Sequence, residues 1–177
     1  MGKWIALFRG INVGGNNILP MAELRVMMAD LGALNVQTYV QSGNCIFEID
    51  ADDGPGLAEQ ISMVVETHKG FRPKVMLLTS DVLAAAIHNN PFLNKAAELK
   101  HLQYYFMEQV PEHPDLTALR ALRAPTEAVE LHRHVLYLHA PDGIGRSKLA
   151  ERVERLMGVP MTARNGRTVA KLAEMTR

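Results

Sequence analysis

Apolar residues along the chain switch period in a regular way. "WIALF", Trp4–Phe8, is a short continuous apolar run and reads as a strand. From about Pro20 to Leu31, Met21, Leu24, Met27, Met28 and Leu31 keep to one face at helical spacing. Pro20 suits the first turn of that helix and Gly32 its end. "VQTYVQSGNCIFEI" reads as two strands around a Ser-Gly-Asn turn. After "GPG", Leu57, Ile61, Val64 and Val65 return to helical spacing, and Pro73–Leu78 is again a strand. The order is β-α-β-β-α-β.

The same order then returns. A connecting helix starts at Ser80 and Asp81, turns Leu83, Ala86 and Ile87 inward, and ends at "NNPFLN". "HLQYYFM" is a strand, and Leu116, Leu119 and Leu122 mark a helix. "EAVEL" and "HVLYLH" form a hairpin, and Leu149, Val153, Leu156 and Met157 share a helical face. A short strand near Val159–Thr162 and a last helix over Thr168–Met175 complete the chain. The expected fold class is α+β: two tandem β-α-β-β-α-β, ferredoxin-like units, with an extra connecting helix and a C-terminal helix. The expected division is residues 1–79 and 80–177, and it rests on element order, since no internal sequence repeat is visible.

This topology has a chemical consequence. The crossover from the first to the second strand is right-handed, so those strands run parallel. The loop after the first strand, "GINVGGNN", then shares a sheet edge with the turn "QSGN". Two polar, glycine-bearing segments far apart in sequence meet in space.

The first segment has two readings. Gly10 and Gly15 have the spacing of a phosphate loop, but Asn16 and Asn17 stand where that loop needs Lys and Ser or Thr. What remains is a glycine turn with carboxamides from Asn12, Asn16 and Asn17 and a flanking Arg9, able to offer backbone N–H groups to an anion. The alternative is a long turn whose glycines only supply positive φ. Gln41, Ser42 and Asn44 of the neighbouring turn gain interest from the shared edge. Cys45 alternates with Phe47 and Ile49, which makes it a small core residue. In the second unit, His113, His132, His134 and Glu112 or Asp115 could gather at one edge, but with no zinc-ligand spacing they read as solvated side chains.

Composition narrows the partners. The single cysteine excludes an intrachain disulfide and fits a cytoplasmic location. No apolar run is long enough to span a bilayer. Net charge is zero, but residues 133–177 carry 9 basic and 4 acidic side chains. "TARNGRTVAKL" sets Arg164, Asn165, Arg167 and Lys171 around a helix start, with Asn165 as its N-cap.

"LFRGINVGGNNILPMAELRVMMADLG", "TYVQSGNCIFE", "NPF", "GRSKL" and "TARNGRTVAKL" together resemble the bacterial proteins grouped as domain of unknown function 1697. The resemblance implies an α+β fold with a ferredoxin-like part and implies no activity. One position departs from it: Gly166 stands where the family typically has Trp.

The functional expectation is a small, phosphate-bearing anionic ligand held at the edge of the first unit, with no cofactor and no metal. Arg9 and Arg164 would supply charge. Asn12, Asn16, Gln41, Ser42, Asn44 and Asn165 would supply hydrogen bonds, and Gly14 and Gly15 close backbone approach. The alternatives are a nucleic-acid module that stacks bases on Tyr39, Phe47, Tyr104, Tyr105 or Phe106 beside the basic C-terminal segment, and a module whose sheet edge pairs with another protein.

Overall fold

The computed structural model describes residues 1–51 and 53–177. These divide into two compact units, Met1–Ala84 together with Leu172–Arg177, and Ala85–Lys171.

In the first unit, β1 (Gly2–Arg9), α1 (Met21–Asp30), β2 (Leu34–Tyr39), β3 (Asn44–Ile49), α2 (Gly54–Lys69) and β4 (Lys74–Thr79) follow in the expected order. The sheet runs β2-β3-β1-β4, with every neighbouring pair antiparallel. That is the ferredoxin-like arrangement, and β1 lies beside β3 in the register Leu7↔Asn44. Ala6 and Phe8 join Leu24, Met28, Phe47, Ile61 and Val65 in one core beneath α1 and α2. Ile5 and Leu7 point to the other face and are equally buried. Burial on both faces explains why β1 reads as an unbroken apolar run rather than an alternation. Each such side chain contributes on the order of 1.5–3 kcal/mol by leaving water. The helix ends follow their local chemistry: the Asp53 carboxylate accepts from Gly56 N at the start of α2, and Gly70 closes it at φ 75°. The chain's end returns to this unit, where Lys3 Nζ donates to the Thr176 carbonyl at 3.2 Å.

After α3 (Ser80–His88), the second unit repeats the pattern with β5 (Leu102–Met107), α4 (Leu116–Ala121), β6 (Ala128–His132), β7 (Val135–His139), α5 (Lys148–Met157) and β8 (Met161–Asn165). Its sheet order, β6-β7-β5-β8, is the same. Leu119, Leu136, Leu138, Leu149 and Val153 fill its helix-covered face. The last strand lies later than the sequence reading put it, and α6 (Gly166–Met175) follows it with no loop. The shift has a physical cause: β8 pairs Thr162 and Arg164 with Phe106 and Tyr104 on a buried face, so a polar-looking stretch is held in the ladder.

Candidate functional site

The loop after β1 folds as a miniature hairpin. Asn12 N donates to Asn17 O at 3.1 Å, and Asn16 N to Val13 O at 3.0 Å. Gly14 and Gly15 form its tip with φ of 58° and 77°, the pair of left-handed residues that a two-residue type I′ turn needs. Asn17 Nδ2 closes the base on Gly10 O at 2.8 Å. Ile11 and Leu19 anchor both ends in the core.

Asn12 ties this loop to the next one. Its Nδ2 donates to Leu19 O at 2.9 Å and to Gln41 O at 2.8 Å, while its Oδ1 accepts from Leu19 N at 2.8 Å. Gly43 completes the junction: its N-terminal neighbours form the turn, and its carbonyl accepts from Phe8 N at 2.8 Å. A Cβ there would stand 2.6 Å from Ile11 Cδ1 and 2.7 Å from Phe8 Cβ, at φ 83°. Only glycine allows the turn to lie this close to the loop. Val40, at φ 53°, is a β-branched residue in the left-handed region, an uncommon and strained conformation.

The sequence-derived candidates therefore take different places. Asn44 is fully buried, with Nδ2 on Tyr39 O at 2.9 Å and Ser42 Oγ at 3.3 Å, so it shapes the turn from inside. Both N–H groups of the Asn12 carboxamide are committed to protein carbonyls. Gly14, Gly15, Asn16, Gln41 and Ser42 are exposed on one edge. Among the described residues, no protein group accepts from the Gly14 or Gly15 amides or from the Gln41 side chain. Arg9 ends β1 directly opposite Lys74 of β4, so two cations share this edge. Lys74 was not among the candidates. Its relevance becomes visible only through the antiparallel register, which sequence alone does not fix.

Arg164 and Asn165 lie in the second unit, on β8. Arg164 is buried, donates from Nη1 to Ala163 O at 2.8 Å, and burial pulls its guanidinium down to about 10, still charged at neutral pH. Asn165 is the N-cap expected of it, its Oδ1 accepting from Thr168 N at 3.0 Å. Beside it, a Cβ on Gly166 would come within 2.4 Å of the Leu99 carbonyl oxygen, so this chain has no space for the Trp that the resemblance implies.

Other chemistries fit less well. Cys45 is buried, and desolvation pushes its thiol up to about 12, which removes it as a nucleophile at neutral pH. His134 does share an edge with the end of β5, where its carbonyl accepts from Met107 N at 2.8 Å. Among the described residues, however, no three His, Cys, Asp or Glu side chains stand where they could hold a metal ion. The base-stacking expectation needs correction at four of its five residues: Phe47, Tyr104, Tyr105 and Phe106 are buried and present no free ring face, while Tyr39 is half-buried. Tyr104, Tyr105 and Phe106 are consecutive, and β5 is buried on both its faces. Among the described residues, no helix is long and apolar enough to cross a membrane.

Fold and loop edge together define an α+β protein of tandem ferredoxin-like units with a stapled glycine hairpin on the first. The chain belongs to the family described as protein of unknown function (DUF1697), whose model matches residues 1–137. That range takes in the hairpin and the neighbouring turn and ends before Arg164. Among solved structures, the chain is similar to a conserved bacterial protein from Streptococcus pneumoniae, at 25% identity and a TM-score of 0.73, over 99% of this chain and 98% of that one. No curated protein matches it.

Proposed function

We propose that the hairpin edge of the first unit binds a small anionic, phosphate-bearing ligand. The observation that carries this reading is the Gly14–Gly15 tip, whose amides are exposed and unspent while the rest of the loop is hydrogen-bonded to itself. Rigid N–H donors with no side chain in the way suit phosphate oxygens. Gln41 and Ser42 stand on the adjoining turn, which Asn12 holds in place. Arg9 and Lys74 oppose each other on neighbouring strands and would bring positive charge to an anion at this edge. In this reading Asn12 and Asn44 build the site rather than touch the ligand, and Arg164 and Asn165 are not required.

The test is a ligand-shift melting screen of inorganic phosphate, pyrophosphate, nucleotides and sugar phosphates, with Arg9→Ala alongside. A charge-assisted contact contributes about 1.5–3 kcal/mol. Arg9→Ala should therefore weaken binding by roughly tenfold or more without unfolding the protein. A screen with no stabilising phosphate compound would overturn the reading.

A further inference from the structure

The basic excess of the C-terminal part, left out of the site above, has a definite place in the fold. Arg146, Lys148, Arg152 and Arg155 are all exposed. Arg146 precedes Ser147, whose Oγ caps α5 by accepting from Ala150 N at 3.0 Å. Leu149, Val153 and Met157 turn one face of α5 into the core. Lys148, Arg152 and Arg155 follow the i, i+4, i+7 spacing on an outward face. Among the described residues, none of the four cations is ion-paired. Glu151 and Glu154 stand in the same turns, and counting both leaves Arg146–Arg155 a net charge of +2. Lys148 with Arg152 is a like-charge pair one turn apart, an arrangement that disfavours the isolated helix.

We infer that this strip of α5 binds the phosphodiester backbone of a nucleic acid without reading its sequence. The dimensions agree. Lys148 and Arg155 lie about 10 Å apart along the helix axis at 1.5 Å per residue. A duplex strand presents a phosphate roughly every 3.4 Å of axis, so the strip covers about three. Arginine forks suit phosphate oxygens. A membrane fits worse, because the apolar face of α5 is already spent in the core and cannot insert. A protein partner fits worse too: binding energy between proteins concentrates on buried aromatic and apolar anchors, and the strip carries none between its cations. Nucleic-acid interfaces, by contrast, are polar and strongly positive.

The test is fluorescence anisotropy of short labelled DNA duplexes of unrelated sequence over a range of salt. The expected result is sequence-independent binding with a log–log salt slope near −3. Arg152→Glu with Arg155→Glu should weaken binding by at least about tenfold and flatten the slope by about two. Circular dichroism checks that the double variant folds; if it does not, Arg152→Gln with Arg155→Gln replaces it, with a smaller loss expected. No binding at low salt overturns the inference, as does binding unchanged by the substitutions. Stronger binding to anionic vesicles or to an acidic polypeptide than to DNA also overturns it and assigns the strip to that partner.

Discussion

Asn12 Nδ2 donates to the carbonyl of Gln41 at 2.8 Å across 29 residues of sequence. That bond joins the loop after β1 to the turn after β2, and the same carboxamide holds Leu19 at its N–H and C=O. Asn12→Ala leaves the amide of a buried residue without its acceptor and frees the Gln41 carbonyl. An unsatisfied buried group costs about 1–3 kcal/mol. The expected outcome is a fall in stability of that size by urea unfolding, with faster exchange of the Leu19 amide. A change below about 0.5 kcal/mol, the range of ordinary surface substitutions, would show that the staple does not hold the loop.

Gly43 and Gly32 separate two effects. Both have positive φ, but only Gly43 has neighbours inside the space a Cβ would take. Gly32→Ala should cost roughly 1–2 kcal/mol for the left-handed backbone alone. Gly43→Ala should cost clearly more and should perturb the Phe8 and Ile11 resonances. Equal losses at the two positions would contradict the close approach.

Gly166→Trp would restore the residue the family resemblance implies. The Leu99 carbonyl blocks its Cβ, so the variant should lose stability unless the Leu99–His101 turn moves. A variant as stable as the parent, with the amides of residues 98–102 unshifted, would contradict this packing.

Alkaline pH should destabilise the protein. Burial pushes Cys45 up from about 9 to about 12, and Tyr105 and Tyr137 from about 10 to about 12. The unfolded chain gives up these protons first, so stability is fully present below pH 9 and falls as pH rises toward 12. Arg164 acts in the opposite sense above pH 10, because its burial favours the neutral form. Melting temperature should therefore decline from pH 9, and Cys45→Ala should flatten the first part of the decline. The thiol should also react slowly with thiol reagents in the folded state; rapid stoichiometric labelling would contradict its burial.

Much of the fold was legible because burial imposes period. Leu24, Met27 and Met28, or Leu149 and Val153, announce helices by the face they share. Ala6, Phe8, Cys45 and Phe47 announce a covered sheet. The edge shared by "GINVGGNN" and "QSGN" followed from the right-handed crossover. The end of β8 was not legible, because "ARN" carries no apolar signal and its strand is set by pairing with Tyr104. Nor were the separate jobs of the asparagines. Asn12, Asn16 and Asn44 look alike in sequence, and only the fold makes one a staple, one an exposed loop residue and one a buried turn clamp. Lys74 escaped notice for a related reason, since its tie to Arg9 exists only across strands.

An amide-resolved titration reads the Gly14–Gly15 tip itself. Isotopically labelled protein would be titrated with pyrophosphate while the backbone N–H resonances are followed. Gly14 and Gly15 should shift saturably, with Gln41 and Ser42 following, and Arg9→Ala should weaken the response by about tenfold. Unmoved Gly14 and Gly15 resonances at saturating pyrophosphate, or shifts confined to other parts of the chain, would contradict the account.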